Sequence, residues 1–310
     1  MAEIGETVIQ MKNVSKYYGK SAAVAEMSMR VNKGDIYALV GKNGAGKTTL
    51  LKLISGLTPA TEGTIEIFGQ GSEQHLGLAR RHMGTMIETP GFFPYLTARE
   101  NLEYYRIQRG NKDKGCVERA LQFVGLEGTG RKKFRGFSLG MKQRLGLALA
   151  IMDNPEILIL DEPINGLDPM GIKDFRNIIL KMSREKKTTV LISSHILGEL
   201  SQIATTYSFI NRGRLVQHIS AKDLKEKCRS FLCIVSDSAD RTSEILKNNF
   251  QFKNIEVADE HTVHVNEKVD DPASAVKALV ENGIMVSQVY QSGINLEQYF
   301  VNLVEGKENG

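Results

Sequence analysis

Residues 41–48 read Gly-Lys-Asn-Gly-Ala-Gly-Lys-Thr, a complete G-x-x-x-x-G-K-[ST] phosphate-binding loop. No other stretch limits the fold as tightly, because this loop works only between a strand and a helix. Both flanks are present. Residues 35–40, Asp-Ile-Tyr-Ala-Leu-Val, form a short apolar run that reads as a buried strand. Residues 48–55 are apolar at helical spacing and are closed by Gly56, a helix stop. Gly41, Gly44 and Gly46 let the backbone turn with its N–H groups facing inward, where they and the positive helix end cradle phosphate oxygens. Lys47 reaches the β- and γ-phosphates, and the Thr48 hydroxyl is placed to ligate Mg²⁺. Lys42, Asn43, Ala45 and Thr49 complete the expected nucleotide contacts.

The 310 residues are enough for two domains. A net charge of +4, with both signs mixed along the chain, selects no partner; it suits an anionic membrane surface and equally a soluble enzyme. Cys116, Cys228 and Cys233 include no C-x-x-C pair, which points to a reducing compartment rather than a disulfide framework or a zinc site. Residues 1–7 lack a basic region followed by an apolar stretch, so no signal peptide is expected. No apolar run approaches the ~18 residues of a membrane span. If the chain serves a membrane process, another subunit is expected to supply the membrane part.

Periodicity divides the chain near residue 220. Residues 8–12, 25–31 and 63–69 read as strands, and residues 73–150 as mostly helical, with a capping box at Thr97-Ala-Arg-Glu100. Continuous apolar runs at 156–161 and 188–193 suit strands buried on both faces of a parallel sheet, with a crossover helix over 171–186. A hairpin is expected at 207–216. The reading is an α/β domain over 1–219 with a helical subdomain at about 73–150. A small α+β domain over 220–310 follows, with strands at 231–236, 254–257 and 263–266 and helices at 240–250, 272–282 and 295–304.

Four later features narrow the chemistry. Asp161 and Glu162 stand together at the end of the run Ile157-Leu-Ile-Leu; Asp161 can hold Mg²⁺ and Glu162 can polarise a water that attacks the γ-phosphate. Asn165-Gly-Leu-Asp168-Pro169 is a turn carrying a further carboxylate. His195 follows the next apolar strand, placed to sense the γ-phosphate. Ser138 and Gly140 open a long apolar helix, where a hydroxyl and free N–H donors suit an anion. Each has a structural alternative: solvated charges at a strand end, a structural histidine, a simple N-cap. Their order behind the loop favours the functional reading.

These motifs together resemble the ATP-binding subunits of ABC transporters, over the first ~215 residues. The resemblance implies a P-loop NTPase (RecA-like) core with an antiparallel β subdomain and a helical insertion. It implies catalytic roles for Glu162 and His195, adenine stacking on Tyr18, a D-loop at Asp168, and a signature at Ser138, Gly140 and Lys142 that acts in trans on a second copy. Two positions depart from the family pattern. The signature reads Ser-Leu-Gly-Met-Lys where Leu-Ser-Gly-Gly-Gln is usual, and Glu88 stands where a glutamine normally meets Mg²⁺ and the membrane subunit.

The Glu88 variant and the small C-terminal extension are similar to one branch, the ATPases of bacitracin-type and lantibiotic self-protection exporters. The expectation is an ATPase using ATP and Mg²⁺, held by Thr48, Asp161 and Glu88. It would act as a homodimer on integral membrane permease subunits, peripheral to the inner face of the membrane, without nucleic acid. Another ABC-2-type multidrug exporter, or a soluble non-transport ABC ATPase, are the alternatives; a single phosphate loop and the lack of a sustained heptad count against the latter.

Overall fold

The computed structural model describes residues 6–88, 91–228, 231–250, 252, 254–266 and 271–305. It divides into two compact units, Met1–Ala221 and Lys222–Gly310.

The first unit holds two sheets. Strands β1 (Thr7–Tyr18), β2 (Ser21–Asn32) and β4 (Glu62–Ile67) form an antiparallel sheet in the order β2-β1-β4. Its inward residues Ile9, Met11, Val14, Val24 and Val31 are buried, as alternation along an antiparallel pair requires. Between β2 and β4 the chain forms strand β3 (Ile36–Val40) and helix α1 (Lys47–Ser55). After β4 come helix α2 (Glu73–Ala79), strand β5 (Met83–Met86), and helices α3 (Ala98–Gln108), α4 (Cys116–Phe123) and α5 (Leu139–Ile151). Strand β6 (Ile157–Asp161), helix α6 (Pro169–Lys186), strand β7 (Thr189–Ser194), helix α7 (Leu197–Leu200), and strands β8 (Thr206–Asn211) and β9 (Arg214–Ser220) complete it.

The second sheet runs β5-β6-β7-β3-β8-β9, with β9 antiparallel to β8 and all other neighbours parallel. Every residue of β3 and β7 is buried, and so are the first four of β6. That is why these strands read as unbroken runs rather than alternating ones. The order sets β3, β7 and β6 side by side, so the loops leaving their carboxyl ends converge. Val40 pairs with Ser194 and Asp161 with Ser193, which fixes those loops in register.

The helical segment differs from the expectation in one respect. Residues 83–86, read there as part of a mostly helical stretch, are the edge strand β5, paired with β6. Met-Gly-Thr-Met is too short and too poor in β-branched residues to announce a strand. The capping box is present: Thr97 Oγ1 accepts the Glu100 N–H at 3.2 Å, and Glu100 Oε2 accepts the Thr97 N–H at 2.7 Å. Residues 145–151 of α5 are all buried, consistent with their apolar character all round.

Helix α8 (Ala221–Lys227) begins at the last residue of the first unit, and the second unit goes on with β10 (Phe231–Ser236), α9 (Ala239–Phe250), β11 (Ile255–Val257), β12 (Thr262–Val265), α10 (Pro272–Glu281), β13 (Val286–Ser292) and α11 (Leu296–Glu305). The sheet order β11-β12-β10-β13 is wholly antiparallel, a β-α-β-β-α-β arrangement. Leu232, Ile234, Val263 and Val265 pack with Leu246 and Leu279 as its core. Strand β13 has no counterpart in the sequence reading: Val-Ser-Gln-Val-Tyr-Gln-Ser is largely polar and alternates poorly.

Candidate nucleotide-binding site

The glycine-rich loop leaves β3 at Val40 and enters α1 at Lys47, with Gly46 as N-cap at φ 104°. A cleft of about 210 Å³ opens there, lined by the loop from Asn43 to Thr49 together with Ala23 and Glu162. Lys42, beside it, is exposed.

Lys47 is buried, 5 % exposed, and its ammonium is held among oxygens. It donates to Gly41 O at 2.6 Å and Lys42 O at 3.3 Å, and lies 3.0 Å from Glu162 Oε1. The last approach is an ion pair without hydrogen-bond geometry, and the buried Glu162 Oε1 accepts no hydrogen bond among the described residues. The Lys47 ammonium compensates the charge of that oxygen, while its lone pairs stay open to a hydrogen bond from a ligand or water.

Two strand ends organise the acidic side. Thr48 Oγ1 donates to Asp161 Oδ2 at 2.6 Å, and Ser193 Oγ donates to Asp161 Oδ1 at 2.6 Å. The same Ser193 oxygen accepts the Glu162 N–H at 2.9 Å. His195 Nδ1 lies 2.8 Å from Glu162 Oε2. With the carboxylate as acceptor, the ring nitrogen donates. Glu162 has φ 46°, a left-handed backbone that costs a non-glycine residue about 1–3 kcal/mol. Such strain persists where the surroundings over-determine it, and here Ser193, Lys47 and His195 all hold the residue.

The outer residues sit at the margins. Tyr18 ends β1 with its ring 54 % exposed, and Lys16 Nζ lies 5.3 Å from the ring centre. An open aromatic face of this kind suits a stacked base. Glu88, 67 % exposed, is turned onto α1, where Lys52 Nζ donates to its Oε1 at 2.6 Å. That pairing is the main cause holding the Lys52 ammonium above its ordinary pKa. The next two residues of that loop lie outside the described residues.

Ser138, Gly140 and Asp168 are brought together, but not with the phosphate loop. They line a separate hollow of about 430 Å³ that shares no residue with the first cleft. Ser138 caps α5, accepting the Met141 N–H at 3.3 Å, and among the described residues no acceptor takes its own O–H. Asp168 caps α6 through the Gly171 N–H at 3.1 Å. Lys142 Nζ stands 5.5 Å from the Phe134 ring centre, and Leu139 is 47 % exposed beside the hollow.

Sequence reasoning missed Ser193 and Lys52. Ser193 is a polar residue inside an apolar run, and its role follows from its register opposite Asp161, which no local pattern shows. Lys52 follows Thr48 by one helical turn, a spacing that could have marked it as facing the site.

The donor set fits a magnesium nucleotide. Thr48 and Asp161 offer hard oxygen ligands, and Glu162 Oε1 is a buried oxygen with no hydrogen bond of its own. Among the described residues no group of three or more His, Cys, Asp or Glu could hold a metal by itself. A Mg²⁺ ion here would draw its other ligands from phosphate and water, its usual habit.

Comparison with known proteins gives the same picture. A family model described as ABC transporter matches residues 24–165. The bacitracin transport ATP-binding protein BcrA of Enterococcus faecalis is 39 % identical over 303 residues, which is 98 % of this chain and 98 % of that protein. The lantibiotic transport ATP-binding protein SrtF of Streptococcus pyogenes is 39 % identical over 210 residues, 67 % of this chain and 89 % of that protein. Among solved structures, the dimeric structure of MJ0796, a bacterial ABC transporter cassette, superposes with a TM-score of 0.62 at 25 % identity. It covers 69 % of this chain and 98 % of that one.

Proposed function

The chain belongs to the ABC transporter ATP-binding subunits, ATPases coupled to transport, and we propose that it powers removal of a bacitracin-type or lantibiotic peptide through a separate membrane permease. The observation that carries this reading is the match to a bacitracin transport subunit over 98 % of both chains, second unit included.

In the proposed mechanism the loop N–H groups and Lys47 bind the phosphates of ATP. Thr48 and Asp161 would hold Mg²⁺, which would neutralise charge on those phosphates when bound. Ser193 keeps the Asp161 carboxylate aimed at Thr48 and fixes the Glu162 backbone. Glu162 orients and deprotonates the attacking water. His195 steadies that carboxylate through the 2.8 Å contact and senses the γ-phosphate. Tyr18 stacks on adenine. Ser138, Gly140 and Lys142 close over the nucleotide of a second copy in a head-to-tail homodimer, and Asp168 lies beside them at that interface. Closure with ATP and opening after hydrolysis would pass through Glu88 and the α3 region to the permease, at the inner face of the membrane. Among the described residues no helix is long and apolar enough to cross a membrane, so the path for the cargo lies in that partner.

The test is a resistance assay. A strain dependent on this chain and its permease is challenged with bacitracin and a panel of lantibiotics. Lys47→Ala, expected to weaken nucleotide binding by about 100-fold, removes the resistance. Full resistance in the Lys47→Ala strain, or a profile confined to unrelated small drugs, contradicts the proposal.

A further inference from the structure

The hairpin between β8 and β9 turns at Arg212-Gly213, far along the chain from the phosphate loop yet directly against it. The Gly213 N–H donates to Ala45 O at 2.9 Å, and the Gly213 carbonyl accepts the Ala25 N–H at 2.9 Å. Arg214, next in sequence, pairs with Glu26 of β2 at 2.6 Å. Loop, strand β2 and hairpin tip are thus tied by backbone bonds and one ion pair.

These backbones leave no space between them. A Cβ built on Gly213 would lie 2.8 Å from Ala23 O, and one on Gly46 would lie 2.5 Å from the same oxygen and 3.3 Å from Gly213 Cα. Gly213 also has φ 75°. Glycine is therefore required there twice over, for conformation and for close approach.

A trans peptide is planar, with its C=O and N–H on opposite sides. Ala45 O and the Gly46 N–H belong to one such plane. Holding the carbonyl against the hairpin turns the Gly46 N–H the other way, toward the cleft. Among the described residues no acceptor takes that N–H. We infer that Gly213 is a positioning residue for nucleotide binding: by gripping the Ala45 carbonyl it aims the Gly46 N–H at the diphosphate of the nucleotide. The inference rests on reading the cleft as the nucleotide site.

The experiment uses the full chain and two substitutions. Gly213→Asn tolerates the left-handed backbone but adds the Cβ that meets Ala23 O. Gly34→Asn is the control, at φ 81° with nothing within 4 Å of its Cβ. Affinities for ADP and AMP are measured by calorimetry. Gly213→Asn weakens ADP binding by about tenfold and leaves AMP, which lacks a β-phosphate, within about twofold. Gly34→Asn changes neither. Unchanged ADP affinity overturns the inference, and so does an equal loss for both nucleotides, which marks a structural role. Wild-type protein that binds neither nucleotide overturns the reading of the cleft and the inference with it. If Gly213→Asn does not fold, hydrogen exchange of the wild-type Gly213 amide decides. Exchange slows by at least about tenfold on ADP binding if the clamp is coupled to the loop, and an unchanged rate overturns the inference.

Discussion

His195 Nδ1 lies 2.8 Å from Glu162 Oε2, so the imidazole beyond β7 is bonded to the carboxylate beyond β6. The other oxygen of that carboxylate faces the Lys47 ammonium at 3.0 Å. Glu162, Lys47 and His195 are therefore one connected unit. Removing the histidine frees the Glu162 side chain to turn while leaving the loop and Lys47 in place. His195→Ala is expected to lower kcat by about 100-fold, with KM for ATP within about threefold. Steady-state ATPase kinetics check this. A rise in KM with unchanged kcat would assign the ring to binding instead.

The Lys52–Glu88 pair separates coupling from stability. Glu88 is exposed and Lys52 only half-buried, and ion pairs this open to solvent contribute about 0–1 kcal/mol. Lys52→Met is expected to move the melting temperature by no more than about 2 °C. Glu88→Ala is expected to reduce peptide resistance while ATP affinity stays within about threefold. Titration with ATP beside the resistance assay distinguishes the two effects. Untouched resistance removes Glu88 from the transmission path.

Acid sensitivity is expected from His218, at the edge of the large sheet. Partial burial of the ring pushes its pKa below the ordinary histidine value, while the negative charge of Asp35 opposes that shift. Its Nδ1 lies 3.1 Å from Tyr37 Oη and 3.3 Å from Ser208 Oγ. Below a pH of about 6.5 the unfolded chain protonates this residue while the fold resists it, so the unfolded state binds more protons. Stability therefore falls as the pH drops through that value, and the loss stops growing below the lowered native pKa. Melting temperatures at about pH 7.5 and about pH 5.5 should differ more in the wild type than in His218→Gln. An equal difference in both proteins would place the acid sensitivity elsewhere.

What was legible in the sequence was the local structure carried by short spacing. The phosphate loop between strand and helix, the Asp161-Glu162 pair at a strand end and the Thr97 capping box each lie within a few residues, and each stands where its spacing put it. What depends on sheet order was not legible. Strand β5 shows its character only beside β6, and Ser193 gains a role only because β6 and β7 are neighbours. Gly213 is an ordinary hairpin glycine until β8 returns next to β3. Glu88 was visible as an odd residue, but its partner Lys52 emerged only from the placement of α1.

ATP turnover with Glu162 as base stands or falls with the Glu162→Gln variant. The substitution keeps the shape of the side chain and removes its basicity, so nucleotide still binds while hydrolysis stalls. The purified variant, mixed with Mg²⁺ and ATP, is followed by phosphate release and by light scattering for mass. Hydrolysis is expected to fall by about 1,000-fold, with a stable ATP-bound dimer. Hydrolysis at the wild-type rate by a chain that stays monomeric would rule out Glu162 as the base.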